Sequence, residues 1–213
     1  MAEPESAPEP LVPRKRPTQD RSRRTFETIL TSARDVLTDV GFESLTCEQI
    51  AQRAELPIGT IYQYFANKYV VVCELDRQDT TAVSEELSAF ASEIPSLQWP
   101  QLLEKFMDHL ADLWRTDPSR RAVWLAVQST PATRATASIT EKILAEQVAR
   151  ILAPLTPTAE RDRRQMMAEV LVHAAYSLLS FSVQPPHDHD SVVGELKRML
   201  AGYLLLEESV DRA

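Results

Sequence analysis

The sequence has little glycine, little cysteine and no long apolar stretch. Only four glycines occur in 213 residues, and the segments between the fourteen prolines are rich in residues that favour helix over sheet. The two cysteines, Cys47 and Cys73, stand in no metal-ligand spacing, which argues against a disulfide framework or a zinc site. No apolar run approaches the roughly 18 residues of a membrane span, and the first residues lack the layout of a secretory signal. We therefore expect an all-α, cytoplasmic protein that does not enter a membrane.

Positive charge is scarce overall but unevenly placed. The net charge of −8 argues against a nucleic-acid partner if the chain is taken whole. Residues 11–68 nevertheless carry nine basic against seven acidic residues, whereas residues 69–213 carry 14 against 21. Local potential, rather than total charge, decides whether a surface attracts DNA. The dense basic cluster lies near the front and comprises Arg14, Lys15, Arg16, Arg21, Arg23 and Arg24.

The front of the chain divides into an arm and a helical head. Residues 1–19 hold five prolines and few apolar residues, so we expect a disordered, basic and proline-rich arm. An apolar stripe then begins at Asp20 and predicts a helix that a left-handed cap at Gly41 would end. Residues 20–67 are predicted to form a three-helix helix-turn-helix head.

Two further helices of the head have their own start patterns. Thr46 followed by Gln49 is typical of a capping box, which opens the second helix. Pro57 and Gly59 predict a tight corner, with Gly59 allowing another backbone to approach closely. In the third helix, Ile61 and Phe65 lie four residues apart and are expected to face inward.

Residues 68–213 are predicted to form a second, C-terminal helical domain. Prolines separate its apolar patterns into segments. The expected helices run from residue 68 to about 91, and over about 101–116, 119–129, 134–153, 158–183 and 190–209.

Three segments of the head resemble the DNA-binding signature of the TetR family of transcriptional regulators. They are Gly41–Thr46, Ile50–Ala54 and Gly59–Lys68, which together fix the order and spacing of a dozen positions. The rest of the chain is similar to the family only in length and helical pattern. The resemblance implies a dimeric repressor that binds double-stranded operator DNA and is switched by a small-molecule effector in its C-terminal domain.

The third helix has the chemistry of a recognition helix. Residues 57–64 carry no charge, as suits a helix whose N-terminal end enters the major groove. Thr60 and Gln63 can hydrogen-bond base edges, and Ile58 can meet a thymine methyl group. Hydroxyl and ammonium groups nearby can contact phosphate oxygens. The expected DNA-binding residues are Thr46, Ile58, Gly59, Thr60, Tyr62, Gln63, Tyr64 and Lys68.

Each of these residues also has a purely structural interpretation. Thr46 could serve only as a cap, Tyr62 could only pack on the first helix, and Lys68 could only begin the fourth. Pro57, Ile58 and Cys47 depart from the commonest family pattern, which leaves the base preference open. Glu48 complements a helix dipole but would repel phosphate if it faced DNA.

The C-terminal domain carries aromatic, methionine and histidine side chains at helical spacing. Such residues line apolar ligand pockets, and the family resemblance implies a pocket here, although plain core packing is the alternative. The candidate ligand-binding residues are Phe106, Trp114, Trp124, Met167, His173 and Tyr176.

The last two helix patterns have long apolar faces. The resemblance implies that they form a four-helix homodimer interface, with Leu200 near its middle, and packing within one chain is the alternative. His187 and His189 lie in a loop where Asp190 would cap the last helix, so we expect no metal there. No motif indicates an enzyme, and we expect no cofactor.

Two other classes of function stay open at this stage. The head could bind another protein as a helical interaction module, or the C-terminal domain could be a helical enzyme that modifies a small molecule. Steep loss of DNA affinity with salt would separate the main hypothesis from the first, and turnover of a ligand would reveal the second.

Overall fold

The computed structural model describes residues 11–94, 98–154, 156 and 159–211, of which 207–211 are described by backbone alone. No strand occurs in this part of the chain, so the all-α prediction is confirmed. The helices are α1 (Asp20–Ser44), α2 (Cys47–Arg53), α3 (Ile58–Tyr64), α4 (Lys68–Glu93), α5 (Trp99–Thr116), α6 (Pro118–Gln128), α7 (Pro131–Leu152), α8 (Arg161–Ser182) and α9 (His189–Asp211). None of the helices described is long and apolar enough to cross a membrane.

The helices form two compact units. The described residues up to Gln78 pack with Arg121–Ile139, and Asp79–Arg120 packs with the described residues after Ile139. The helices α4, α6 and α7 therefore each contribute to both units. The predicted boundary at residue 68 coincides with the start of α4. The assignment of a separate role to each side of that boundary stays a prediction.

The core of the first unit gathers the apolar faces of α1, α2 and α3. Ile29, Ile50 and Ile61 are fully buried there, as is Phe65. The ring of Phe26 stacks on that of Phe65 with 5.0 Å between centroids. Burial of each large apolar side chain contributes about 1.5–3 kcal/mol, so this core fixes the three helices of the head. Ile61 and Phe65 face inward as predicted.

The junction between α1 and α2 follows the sequence in part, because α1 continues past Gly41, its predicted end, to Ser44. Gly41 has a φ of 74°, a value that glycine tolerates, and interrupts α1 before a final turn to Ser44. At the start of α2, the Gln49 amide donates to the Thr46 hydroxyl at 3.2 Å, and the Thr46 amide donates to Gln49 Oε1 at 2.9 Å. The predicted capping box is confirmed.

The corner between α2 and α3 is built differently from the prediction. Its left-handed residue is Glu55, with a φ of 54°, and the Leu56 amide donates to the Ala51 carbonyl at 3.0 Å. A side chain added at Gly59 would meet no atom within 4 Å, so no backbone approaches it closely. The expected role of Gly59 in the corner is therefore wrong, and Glu55 with Pro57 forms the turn.

The second unit packs α5, α8 and α9 together. Asp188 caps α9, since its Oδ2 accepts from the Ser191 amide at 2.9 Å. Hydrogen bonds from Ser191, first from its side chain and then from its amide, lower the pKa of Asp188. The expectation that Asp190 is the cap is wrong, because α9 already begins at His189 and Asp188 is the residue before it.

Candidate nucleic-acid interface and apolar cavity

The outer face of α3 is uncharged and open to solvent. Ile58 and Tyr62 are each 38% exposed, Gly59 and Gln63 are also exposed, and Thr60 is half-buried. Ile61 holds the opposite face in the core. A short helix held rigidly from behind can present polar and apolar groups to base edges in a groove.

Tyr62 lies beside α2. Its hydroxyl is 3.5 Å from Glu48 Oε1, at the limit of a hydrogen bond. The neighbouring Cys47 and Glu48 raise the pKa of Tyr62 above its ordinary value, so the phenol keeps its proton and can donate. Burial raises the pKa of the Cys47 thiol, which lies in the core behind this surface and stays neutral. Glu48 is exposed and would repel a phosphate placed close to it.

Thr46 is exposed at the N-terminus of α2. Its oxygen already accepts from the Gln49 amide, which is the capping role that the sequence predicts. A hydroxyl has one hydrogen to donate as well as lone pairs to accept. Capping and phosphate binding are thus compatible at this residue, and its DNA contact stays a prediction.

Tyr64 does not lie on the exposed face that the sequence suggests. Only 4% of the residue is exposed, and its ring packs edge-on against Phe26 with 5.5 Å between centroids. Lys15 Nζ lies 5.0 Å above the same ring. Tyr64 is a core residue of the head, because its position on α3 turns toward α1. This burial argues against the phosphate contact expected for it.

Lys68 also has internal partners. Its ammonium donates to the carbonyl oxygens of Phe42 at 2.8 Å and Glu43 at 3.1 Å, and lies 4.6 Å from the centre of the Phe42 ring. A cation favours the C-terminal end of a helix, where carbonyls lack partners. Lys68 thus stabilises the end of α1, and its predicted phosphate contact finds no support in this geometry.

The arm over residues 11–19 is held in place, which corrects the expectation of disorder for this part of it. The Leu11 amide donates to Thr136 Oγ1 at 3.0 Å, and the Arg14 amide donates to the Tyr64 carbonyl at 2.8 Å. Arg16 forms a two-pronged ion pair with Glu74. These partners are remote in sequence, so no local pattern could have revealed them. Residues 1–10 of the predicted arm lie outside the described residues.

The second unit contains an apolar cavity of about 110 Å³. Its wall is made of aliphatic and aromatic side chains from α4, α5, α7, α8 and α9, with no charged residue among them. Representative lining residues are Leu87, Trp99, Phe106, Ala175, Tyr176 and Leu200. Such a wall suits an apolar ligand, because a buried charge without a partner would be costly.

The cavity includes two of the six residues expected to bind a ligand, Phe106 and Tyr176. Trp114 is buried and packs edge-on against Tyr176, and Met167 is buried, yet neither lines the cavity. Sequence reasoning missed the aliphatic majority of the wall, since those residues have the same pattern as ordinary core.

Two other residues expected to bind a ligand, His173 and Trp124, do not line the cavity. His173 is exposed, with its Nδ1 3.9 Å from Glu141 Oε2, and burial raises the pKa of that carboxyl despite the nearby imidazole. Trp124 belongs to the first unit. The structure therefore brings neither His173 nor Trp124 to the cavity wall.

The helices α8 and α9 also expose apolar side chains. Leu200, expected near the middle of a dimer interface, is only 4% exposed and lines the cavity instead. Its neighbour Met199 is 47% exposed. The exposed apolar residues on these two helices are Met166, Val170, Phe181, Met199, Leu205 and Leu206.

Within the described ranges, no group of three or more His, Cys, Asp or Glu side chains is arranged to hold a metal ion. The ring of His187 lies 3.9 Å from that of Phe181.

Comparison with known families gives two matches. Residues 97–208 match the family described as "Tetracyclin repressor-like, C-terminal domain", which covers more than half of the chain. Residues 29–75 match "Bacterial regulatory proteins, tetR family". The curated "Uncharacterized HTH-type transcriptional regulator YdeS" of Bacillus subtilis (strain 168) is 38% identical over 54 residues, which are 25% of this chain. The aligned part spans 27% of the length of that relative.

Solved structures share the fold. A TetR-family transcriptional regulator from Streptomyces coelicolor is 22% identical, with a TM-score of 0.66 over 84% of this chain and 97% of that one. The transcriptional regulator FadR from Bacillus subtilis, in complex with stearoyl-CoA, is 18% identical, with a TM-score of 0.66 over 82% of this chain and 97% of that one.

Proposed function

The chain belongs to the TetR family of bacterial regulatory proteins and is a DNA-binding transcriptional regulator, and we propose that it is a homodimeric repressor released from its operator by an apolar small molecule. Family membership also identifies it as a regulator and not as an enzyme. In this proposal, residues 20–67 bind DNA, residues 68–213 bind the effector and a second subunit, and the protein acts in the cytoplasm.

The observation that carries the DNA proposal is the uncharged, exposed face of α3. Gln63 is the residue best suited to read a base, because its amide can pair with both N6 and N7 of adenine. Thr60 supplies a hydroxyl on a shorter side chain, and Ile58 supplies an apolar surface. Thr46 and Tyr62 supply hydroxyls for phosphate oxygens. Tyr64 and Lys68 support the head from within rather than contact DNA.

Selection of a preferred duplex from a random pool, followed by titration with Gln63→Ala, tests this assignment. The variant should lose part of its preference for the selected duplex over a scrambled one, by about 1–3 kcal/mol if a bidentate base contact is lost. Gln101→Ala, which removes an exposed glutamine from α5, is the matched control. An unchanged preference in Gln63→Ala would refute the assignment of α3 to base reading.

The effector proposal rests on the apolar cavity. An engineered cavity of about 150 Å³ admits benzene, so the cavity here has room for a small apolar group or the end of a chain. FadR from Bacillus subtilis was solved with stearoyl-CoA, which makes a fatty acyl chain a reasonable first probe. In α4, Val70 and Leu75 pack in the core of the first unit, while Val83 and Leu87 line the cavity of the second. A ligand that moved α4 would therefore act on both units.

The homodimer proposal rests on the exposed apolar side chains of α8 and α9. Exposed apolar surface on two adjacent helices is typical of a subunit interface, and a twofold axis would pair each helix with its counterpart. A dimer also enlarges the DNA footprint, which a single short recognition helix leaves small.

A further inference from the structure

We propose that residues 11–16 of the arm are part of the DNA-binding site: the Arg16–Glu74 ion pair holds Arg14 and Lys15 beside the C-terminal end of α3, where both neutralise DNA phosphates. This inference rests on the proposed binding of DNA by α3. It adds phosphate contacts from two cations of the arm to those proposed for Thr46 and Tyr62, and it makes Arg16 and Glu74 positioning residues.

The anchor of the arm is a buried carboxylate. Glu74 is 2% exposed and accepts from Arg16 at 2.6 and 2.8 Å through both of its oxygens. Arg77 donates to the same two oxygens at 2.7 and 3.0 Å. Two parallel N–H···O bonds fix a guanidinium in both distance and orientation. The Arg16 guanidinium is therefore fixed to α4.

The rest of the arm is fixed to α3. The Arg14 amide donates to the Tyr64 carbonyl, and the Arg14 guanidinium donates to the Tyr62 carbonyl at 2.7 Å. These are carbonyls of the last turn of α3, which lack helical partners. Pro13 is buried, and Lys15 Nζ lies above the Tyr64 ring. The arm thus caps the helix that bears Gln63.

The charges of the arm are available to DNA. Arg14 and Lys15 are exposed, and among the described residues no acidic side chain pairs with either. The charge of Arg16 is instead neutralised by Glu74. Because the exposed Tyr62 and Gln63 belong to this last turn of α3, a duplex seated on their face brings its backbone near these two cations. Each phosphate that they neutralise releases counterions and steepens the salt dependence of binding.

The decisive variant is Glu74→Gln, because two explanations predict opposite results. Removal of a negative charge should strengthen DNA binding if charge alone matters. If the arm is positioned by Glu74, binding should weaken instead. The double variant Arg14→Ala/Lys15→Ala should make the plot of log K against log salt less steep by about two units, and Glu74→Gln should approach that shallower slope. Glu27→Gln removes an exposed carboxylate from the same unit and should not weaken binding.

Trypsin reports the position of the arm directly. Cleavage after Arg14 and Lys15 should be slow in the parent and in Glu27→Gln, and several-fold faster in Glu74→Gln. If Glu74→Gln does not fold, Arg16→Met removes the anchor from its exposed end and leaves Arg77 on the carboxylate. The plot of log K against log salt for Arg16→Met should then be less steep than that of the parent by about two units, since both arm cations are released.

Three outcomes would overturn the proposal. The first is that Glu74→Gln binds DNA as tightly as the parent or more tightly. The second is that trypsin cleaves the arm at equal rates in the parent and in Glu74→Gln. The third is that Glu74→Gln loses affinity for the selected duplex alone, with no change in the salt dependence of binding. The proposed function fails separately, if the parent itself shows no salt-dependent binding to DNA or if Gln63→Ala keeps the parent's base preference.

Discussion

The ammonium of Lys68, the first residue of α4, donates a 2.8 Å hydrogen bond to the carbonyl oxygen of Phe42 in the last turn of α1. The same group lies 4.6 Å from the Phe42 ring centre. The lysine thus ties the end of one helix of the head to the start of another. These contacts support a structural role for Lys68, although the residue ends the sequence segment that resembles a DNA-binding signature.

We predict that Lys68→Met lowers the stability of the protein without reducing the salt dependence of DNA binding. The methionine keeps the apolar stem but loses two charge-assisted bonds, each worth about 1.5–3 kcal/mol at most. Thermal unfolding and DNA titrations at several salt concentrations, below the unfolding transition, separate the two effects. A slope reduced by about one unit with unchanged stability would return Lys68 to the DNA interface.

We predict that Tyr62→Phe weakens binding to the selected duplex and to random duplex by about the same factor. The substitution keeps the ring and removes only the hydroxyl, which we assign to a phosphate. Loss of a hydrogen bond to a charged group corresponds to about a tenfold or greater loss of affinity. Tyr203→Phe, in α9, is the matched control and should bind as the parent does. A loss confined to the selected duplex would instead assign the hydroxyl to a base.

The sequence predicted the contacts that are made between near neighbours. The Thr46–Gln49 capping box spans three residues, and the inward faces of α1 and α3 follow from helical spacing. The contacts that it missed join distant residues, as Arg14 bonds to the carbonyl of Tyr62, 48 residues away. Because such contacts depend on how helices pack, composition located the basic cluster but could not place Arg14 and Lys15 beside α3.

The cavity was foreseen only in part for a related reason. Phe106 and Tyr176 were expected because large aromatic side chains are distinctive, whereas aliphatic lining residues such as Leu110 and Ala175 have the same pattern as any buried helix face. His173 was expected from its chemistry, but its position on α8 turns it to solvent. Which apolar residues border a void is decided by packing, not by sequence period.

We predict that Met199→Glu and Leu200→Glu have different effects. Met199 is exposed on α9, so a carboxylate there should leave the subunit folded but disrupt the proposed dimer interface. Leu200 is buried at the cavity, where an unpaired carboxylate costs several kcal/mol and should unfold the unit. Sedimentation gives the assembly state, and circular dichroism gives the fold. A parent that is already monomeric at micromolar concentration would contradict the dimer.

We predict that the Cys73 thiol resists alkylation in the folded protein. Burial, followed by the charge of Asp76, raises the pKa of Cys73 from 9.0 to about 12. Because the folded pKa lies above the unfolded one, the stability linked to the protonated thiol is complete below pH 9 and is lost as pH rises toward 12. Mass spectrometry after iodoacetamide treatment at pH 8.5 measures the reaction, with urea-unfolded protein as the control. Equal rates in the two states would contradict this burial.

We predict that Ala175→Phe separates effector response from DNA binding. Ala175 is buried on α8 and lines the cavity, so a phenyl group there occupies the space proposed for the ligand. The core should tolerate the change at a cost of about 1–3 kcal/mol, since part of the added volume enters a void. A fatty acyl probe that lowers the parent's operator affinity should then have no effect on the variant, while affinity without the probe stays unchanged. By linkage, the parent should also bind the probe more weakly when operator is present, by the same factor as the operator is weakened. If the probe acts equally on parent and variant, the effector binds elsewhere and the cavity is only a packing defect.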